Sequence, residues 1–181
     1  ITLDSKIDIV GFDGLTIIGP YPAHLKIQPD GGMTGQLFDI QGSNNVAFHN
    51  IGFENGNSNI NTRVAQLESN IGPIKFKNCL FEGMSTGADG GVFWSNNSEL
   101  IVLNCSFFGN SGNRGGAINI ESGMLKAINC TFSGNVALAE GGAILMNAAY
   151  NGSFLNHCTF RENDAMNGEA VFVESSGPDQ L

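Results

Sequence analysis

The chain has 181 residues, the length of one ordinary domain or of a slice of a longer repeat array. Its 41% hydrophobic content is enough to bury a core, which argues against intrinsic disorder. Eight Lys and Arg stand against seventeen Asp and Glu, and a net charge of -9 argues against nucleic-acid binding. No apolar run approaches the roughly 18 residues of a membrane helix, so we expect no membrane span in this segment.

The first part of the chain, residues 1–50, contains short β-rich runs broken by Gly, Pro and Asp, such as IDIVGFDGLTIIGP and LFDIQGSNNVAF. We interpret these runs as irregular first coils that precede regular repeats in residues 51–181. The chain starts at Ile1, without an initiator Met or a signal-peptide pattern. The sequence therefore predicts a single segment over 1–181 that belongs to a longer solenoid or to an assembly.

The regular repeats are marked by four cysteines, each of which opens a similar phrase: CLFEGM, CSFFGN, CTFSGN and CTFREN. These cysteines are Cys79, Cys105, Cys130 and Cys158, with spacings of 26, 25 and 28 residues. About nine residues after each Phe comes a glycine pair or its relic, in the phrases GGVF, GGAI, GGAI and GEAV. A weaker copy begins at Ile51. We count about six or seven copies of roughly 25–28 residues.

Each copy holds three short strand-like runs separated by Gly and Asn turns, and none has a helical half. In one copy the predicted strands are 100–103, 105–107 and 117–120. This pattern predicts an all-β fold, a right-handed parallel β-helix in which each copy is one coil and equivalent residues stack about 4.8 Å apart. The predicted core columns are Ile74, Leu100 and Leu125; Phe76, Val102 and Ala127; Cys79, Cys105 and Cys130; and Phe81, Phe107 and Phe132.

The residue before each cysteine is a column of asparagines that ends in a histidine. Its members are Asn50, Asn78, Asn104, Asn129 and His157. Asn tolerates the left-handed backbone of a sharp bend, and stacked amides can hydrogen-bond along the column. We predict an asparagine ladder there, with His157 as a ladder substitute. A second column, formed by Asn110, Asn135 and Asn163, is predicted to be another turn position.

Two motifs recur in frame within one coil. An F-x-x-N tetrapeptide is formed by Phe107 and Asn110, Phe132 and Asn135, and Phe160 and Asn163. A G-G-A motif follows at Gly115 and Gly116 and at Gly141 and Gly142. A divergent copy, with Glu in place of the second Gly, begins at Gly168. We expect these glycines to give tight entry into the third strand.

Paired in this order, the motifs resemble the repeats of the polymorphic outer membrane protein family, strongly from about Asn78 to Ser176 and weakly before it. Phe53 and Phe81 lack the Asn three residues later, so their coils resemble only the broader pectin-lyase-like β-helix pattern. The resemblance implies an exported surface protein of the adhesin type.

Many parallel β-helices are polysaccharide lyases or hydrolases, which need clustered carboxylates. Here the acidic residues are scattered, and Glu54 and Glu82 are the clearest pair at one coil position. Arg63, Arg114 and Arg161 are interpreted as turn residues without a Lys partner in register. We therefore expect no catalytic residue.

We expect neither a metal nor a cofactor. His24, His49 and His157 lie in different coils, without Cys or carboxylate at ligand spacing. The Asp-Gly pairs at Asp13, Asp30 and Asp89 are interpreted as turn chemistry rather than calcium ligands.

The cysteine column has two interpretations. Inward thiols would fill space as small hydrophobes. Alternatively, disulfides Cys79–Cys105 and Cys130–Cys158 would use all four residues and would indicate an oxidising compartment.

Four Asn-X-Ser/Thr sequons are present. Asn96 and Asn151 are the glycosylation candidates, because we expect both in polar loops after the third strand. Asn104 and Asn129 belong to the ladder, where we expect occupied amides with poor access.

These features favour a non-enzymatic structural or adhesive protein, extracellular or on the cell surface, which forms a rigid rod, filament or coat. Its expected partners are a protein or glycan at the cell surface, or neighbouring copies of itself. The alternative is a carbohydrate-active or carbohydrate-binding β-helix. Trp94 and Tyr150 are the aromatic residues that would serve such binding.

Overall fold

The computed structural model describes residues 1–22, 24–55, 61–147 and 152–174. Within these residues the chain is all β, and it winds into coils that each contribute one strand to three parallel sheets. We refer to the sheets as A, B and C, and the chain visits them in the repeating order B, A, C. The predicted parallel β-helix is confirmed, with about six coils.

Sheet A contains seven strands: β2 (Ile7–Val10), β5 (Gly35–Gln41), β8 (Thr62–Glu68), β11 (Phe93–Asn96), β15 (Ile118–Ile120), β19 (Ile144–Asn147) and β22 (Val171–Glu174). Sheet B also contains seven: β1 (Thr2–Leu3), β4 (Lys26–Pro29), β7 (Gly52–Glu54), β10 (Leu80–Glu82), β13 (Ser106–Phe108), β17 (Thr131–Ser133) and β21 (Thr159–Arg161). Sheet C has six: β3 (Thr16–Ile18), β6 (Val46–His49), β9 (Ile74–Lys77), β12 (Ser98–Leu103), β16 (Gly123–Ile128) and β20 (Phe154–Asn156). A small additional pair joins β14 (Ser111–Gly112) to β18 (Val136–Ala137).

The strands pair in a register that stacks equivalent repeat positions. Phe81 pairs with Phe53 on one side and with Phe107 on the other, and Phe107 pairs with Phe132. Side chains alternate between core and surface along each strand, which has a period of two. All the predicted core columns are buried, at most 3% exposed. The core therefore follows from the repeat pattern.

Phenylalanine forms a continuous stack through this core. The ring centroids of Phe53 and Phe81 lie 5.3 Å apart, and those of Phe81 and Phe107 lie 4.7 Å apart. The stack continues from Phe107 to Phe132 at 4.6 Å and from Phe132 to Phe160 at 5.0 Å. The rings are near parallel in all four contacts, with interplanar angles of 4°, 19°, 7° and 6° in the same order. Because the coils superpose, identical rings stack face over face with an offset.

The sharp bend between sheets C and B occurs at the predicted asparagine column. Asn50, Asn78, Asn104, Asn129 and His157 all have left-handed backbones, with φ of 59°, 53°, 53°, 54° and 53°. Asn tolerates this conformation better than most residues because its short polar side chain can bond locally. One left-handed residue thus marks the turn from sheet C to sheet B at five successive bends.

The G-G-A motif marks the entry into sheet A. Gly115 and Gly141 both have a φ of 64°. Gly116 packs against the next coil so closely that a Cβ there would lie 2.1 Å from the carbonyl oxygen of Gly142. Two different demands, one on φ and one on space, therefore select the two glycines.

Several local expectations were wrong. Arg63 lies within strand β8 and Arg161 is the last residue of strand β21, so neither lies in a turn. Asn96 is the last residue of strand β11 rather than part of a loop. Cys105 precedes its strand, which begins at Ser106. Residues 1–50 contribute strands β1 to β6 to the same three sheets as the later repeats, and the division of the chain at residue 50 stays a prediction.

Candidate functional site

The outer face of sheet A carries a row of unlike side chains. Asp39, Gln66, Trp94, Asn119 and Leu145 occupy the same strand position in successive coils. The interior columns stay apolar from coil to coil, whereas this row changes between acidic, amide, aromatic and aliphatic side chains. The stacking rule that shapes the interior does not explain this face.

A chain of polar contacts links neighbouring coils across the face. Arg114 donates to Asp89 Oδ2 from Nη2 at 2.7 Å and from Nε at 3.1 Å. Its Nη2 also lies 3.6 Å from Glu121 Oε2, which accepts from Asn147 Nδ2 at 3.1 Å. Burial favours a raised pKa for Asp89, but hydrogen bonds from Arg114 and Asn113 hold that pKa below its usual range. Asp89 is therefore ionised at neutral pH and is not a proton donor.

Arg63 lies near this network without full pairing. The residue is 8% exposed, and its Nε has no hydrogen-bond partner. Asp89 attracts it electrostatically, but the hydrogen bonds of that carboxylate go to Arg114 and Asn113. Burial lowers the pKa of Arg63, although a guanidinium remains charged at neutral pH. An incompletely paired guanidinium of this kind can bind an anionic group.

Asn119 occupies the middle of the same face. It is fully buried, and neither its Oδ1 nor its Nδ2 has a partner. Such a group costs about 1–3 kcal/mol and is rare in native proteins. Its cross-strand neighbour Trp94 is half-buried. An aromatic surface and unused hydrogen-bonding capacity therefore lie in adjacent coils.

A second cluster lies toward the first coils. Asp39 accepts hydrogen bonds from Lys6 at 2.9 Å, Gln36 at 3.3 Å and Gln41 at 2.8 Å. Burial favours a raised pKa for Asp39, but these donors, Lys6 foremost, lower it. Because these donors from within the protein occupy the Asp39 carboxylate, we assign this cluster a structural role.

The predicted histidine and Asp-Gly residues remain apart. His24 makes an edge contact with Tyr21, His49 lies on the outer face of sheet C, and His157 lies at a bend. Asp13 accepts from Asn44 Nδ2 at 3.0 Å. In the described part of the chain, no three His, Cys, Asp or Glu side chains come together in a group that could hold a metal ion.

The predicted asparagine ladder forms hydrogen bonds between coils. Asn78 Nδ2 donates to Asn50 Oδ1 at 3.0 Å, Asn104 to Asn78 at 3.1 Å, and Asn129 to Asn104 at 3.3 Å. Asn104 and Asn129 are nevertheless exposed, so the expectation of poor access at these two residues was wrong. This outer ladder shapes the bend in a solvent-facing position.

The second asparagine column forms a buried inner ladder. Asn110 and Asn135 are fully buried. Asn110 Nδ2 donates to Asn135 Oδ1, and Asn135 Nδ2 to Asn163 Oδ1, both at 2.9 Å. The sequence indicated the turn but not the burial, which makes this column the stronger structural element.

All four cysteines are free thiols, with no disulfide between them. Cys79, Cys105 and Cys130 are buried, and Cys158 is half-buried. Each thiol contacts main-chain carbonyl oxygens, as Cys105 Sγ does with Leu103 at 3.3 Å. The column therefore fills the interior as the first interpretation expected.

The two glycosylation candidates differ in what can be described. Asn151, like Tyr150, lies outside the described residues. Asn96 is half-buried, and its Oδ1 accepts from Ser122 Oγ at 2.6 Å. The hydroxyl of the sequon residue Ser98 is buried and accepts from the Asn70 main chain at 3.1 Å.

Sequence reasoning identified Trp94 but missed Arg63 and Asn119 as parts of one face. The strand position that Trp94 shares with Asn119 could have been found by extending the column alignment to sheet A. Arg63 pairs with Gln36, three residues before that row, so the alignment alone would not have found it. The unpaired state of these side chains has no sequence signal, because it depends on which neighbours reach them.

No family model, curated protein or solved structure matches this chain. The resemblance to polymorphic outer membrane protein repeats thus stays a prediction based on the motifs. Among the described residues, no helix has the length and apolar character needed to cross a membrane.

Proposed function

We propose that this chain is a rigid segment of a non-enzymatic structural or adhesive protein on the cell surface. The observation that carries the proposal is the unbroken Phe stack from Phe53 to Phe160, which locks successive coils in register. A rod built in this way displays its outer side chains at fixed intervals of about 4.8 Å, independently of their identity. That property suits attachment or assembly.

Two measurements test this function. Antibodies against the chain should label intact, non-permeabilised cells of the source organism. The purified chain should release no new reducing or unsaturated ends from polygalacturonate and related glycans. Measurable turnover that disappears in Asp89→Asn or Glu121→Gln would contradict the non-enzymatic proposal.

A second candidate function is carbohydrate binding on the outer face of sheet A. Trp94 offers a half-buried ring face, and Arg63, 8% exposed, is a cation suited to a uronate carboxylate. Asn119 is fully buried, so a glycan would reach its amide only after a local rearrangement. Trp94→Ala should abolish glycan binding measured by calorimetry or on an array. Phe108→Ala is the matched control, because Phe108 is an exposed aromatic residue on sheet B. Equal loss in both variants would count against this face.

We also propose that Asn96 carries an N-glycan when the chain passes through a eukaryotic secretory pathway. Ser122 holds the amide oxygen of Asn96, and no hydrogen bond from its Nδ2 is seen in the described structure. Peptide mass spectrometry of the secreted protein, run without reduction, should find the glycan at Asn96 and four free thiols. An unmodified Asn96 in secreted protein would contradict this proposal.

A further inference from the structure

The outer face of sheet C combines lysines with aliphatic side chains. One outward column contains Lys75, Ile101, Lys126 and Phe154 in successive coils. The adjacent outward column contains His49, Lys77, Leu103 and Ile128. Phe154 is 42% exposed, and the three aliphatic residues are half-buried, so the face is apolar as well as basic.

This face differs in charge from the rest of the molecule. Its strands hold three lysines, Lys75, Lys77 and Lys126, and one carboxylate, Glu99, for a sum of +2. Since the whole chain carries -9, the remainder carries -9 - 2 = -11. A basic face on an acidic molecule is complementary to the surface of another copy.

The acidic charge is concentrated on the opposite side of the coil. The chain passes from sheet A to sheet C and from sheet C to sheet B, so both of these corners border sheet C. The segments that lead from sheet B to sheet A form the third corner, which lies opposite sheet C. We call this corner the BA ridge. It contains seven carboxylates and two cations: Asp4, Asp30, Asp89, Glu140, Glu162, Asp164 and Glu169, with Lys6 and Arg114. The ridge therefore sums to 2 - 7 = -5.

The BA ridge also has exposed apolar side chains that match those of sheet C. Val136, Leu138 and Met166 are 40%, 70% and 84% exposed. A shallow pocket bordered by Gly112, Val136 and Leu138 lies among them. Both surfaces therefore carry exposed apolar side chains, and the outer face of sheet C is positively charged whereas the BA ridge is negatively charged.

We propose that the outer face of sheet C docks on the BA ridge of a second copy of this chain, so that copies pack side by side. This inference rests on the structural role proposed above. The two surfaces differ, so the contact is heterologous and extends into an open array rather than a closed dimer. Sheet C spans about 25 Å by 15 Å, which is small for an interface, so each contact is weak and needs a high local concentration.

Sedimentation velocity over a concentration series tests the proposal with purified chain. The wild-type chain should associate at about 20 mM salt and dissociate at about 0.5 M, because the Debye length shortens severalfold. A face variant, Lys75→Glu with Lys77→Glu, should remain monomeric. The matched control is the single variant Lys26→Glu on sheet B, compared with Lys75→Glu alone on sheet C, and it should associate as the wild type does.

A mixing experiment identifies the second surface. A ridge variant, Glu162→Lys with Asp164→Lys, should also be monomeric alone. Mixed with the face variant it should restore association, because the intact face meets the intact ridge and the two reversed surfaces are again opposite in charge. Circular dichroism of every variant checks that the coils are retained.

Three outcomes would overturn the proposal: a monomeric wild type at low salt, association of the face variant at wild-type strength, or wild-type binding to heparin through these lysines without self-association. None of them bears on the glycan-turnover or surface-labelling tests. Failure of lateral packing is therefore distinguishable from failure of the proposed function.

Discussion

Asn135 donates a 3.1 Å hydrogen bond from its Nδ2 to the main-chain carbonyl of Phe107, one coil away. Its Oδ1 accepts from the main-chain N–H of Asn110 at 3.1 Å. The same relationship joins Asn110 to Phe81 and Asn163 to Phe132. The F-x-x-N motif is therefore one device that works between coils: the Phe stacks, and the Asn binds the main chain beside the neighbouring Phe.

Asn135→Ala should be among the most destabilising polar-to-Ala changes in the described chain. It would leave the buried Asn110 N–H without its acceptor and remove one donor from the Phe107 carbonyl, so we expect a loss of about 3 kcal/mol in the free energy of unfolding. Urea unfolding followed by circular dichroism measures this loss.

Asn129→Ala is the matched control in the outer ladder. It loses one solvent-facing hydrogen bond and must keep a φ of 54°, so we expect a smaller cost of about 1–2 kcal/mol. Asn129→Gly should recover most of this cost, because Gly accepts positive φ freely. A larger loss in Asn129→Ala than in Asn135→Ala would show that the outer ladder is the dominant one.

Gly116→Ala tests the close approach of neighbouring coils. The new Cβ would lie 2.1 Å from Gly142 O and 2.7 Å from Val136 N, so main-chain atoms must move. We expect a loss above about 3 kcal/mol in the same urea assay. Gly109→Ala is the control, since it has a φ of 58° but open space around it, and should cost only about 1–2 kcal/mol. Equal effects would mean that the close approach to the next coil does not select Gly116.

The thiols should react in an order set by burial. Cys158 is half-buried, whereas Cys79, Cys105 and Cys130 are buried. Burial also raises the pKa of the Cys105 and Cys158 thiols, so both stay protonated at neutral pH. Iodoacetamide labelling read by mass spectrometry should modify Cys158 first and the other three only as the chain unfolds. Rapid native labelling of Cys105 would contradict the packed column.

The interior could be predicted from the sequence because stacking makes it periodic. Leu100, Val102, Cys105 and Phe107 recur at the coil spacing, and a column of like residues in a parallel β-helix is either a core column or a turn column. The pattern did not separate those two cases for Asn110 and Asn135. Their burial depends on the direction of the side chain after strands β13 and β17, which the residue type leaves open.

The face of sheet A could not be predicted, because its contacts do not repeat. The sequence predicts Asp89 as a turn residue before Gly90 and Arg114 as a turn residue before Gly115. Their ion pair depends on both turns stacking at one corner, and the contact to Glu121 depends on the Arg114 side chain reaching the end of strand β15. Such contacts follow from side-chain length and rotamer rather than from period.

Asp89→Asn should reveal the pH dependence that the Arg114 pair confers. The pKa of the Asp89 carboxyl in the folded chain lies below the ordinary value of an aspartate, so the folded state favours the ionised carboxylate. The stabilisation from the pair is therefore present above the unfolded pKa and is lost as pH falls through the folded pKa. The difference in unfolding free energy between wild type and Asp89→Asn should be about 1 kcal/mol and constant above about pH 5, and should shrink below about pH 4. Urea unfolding from pH 2.5 to 7 measures it, with Asp13→Asn as a control at another Asp-Gly turn. A difference that grows on acidification would contradict the assigned direction of the pKa shift.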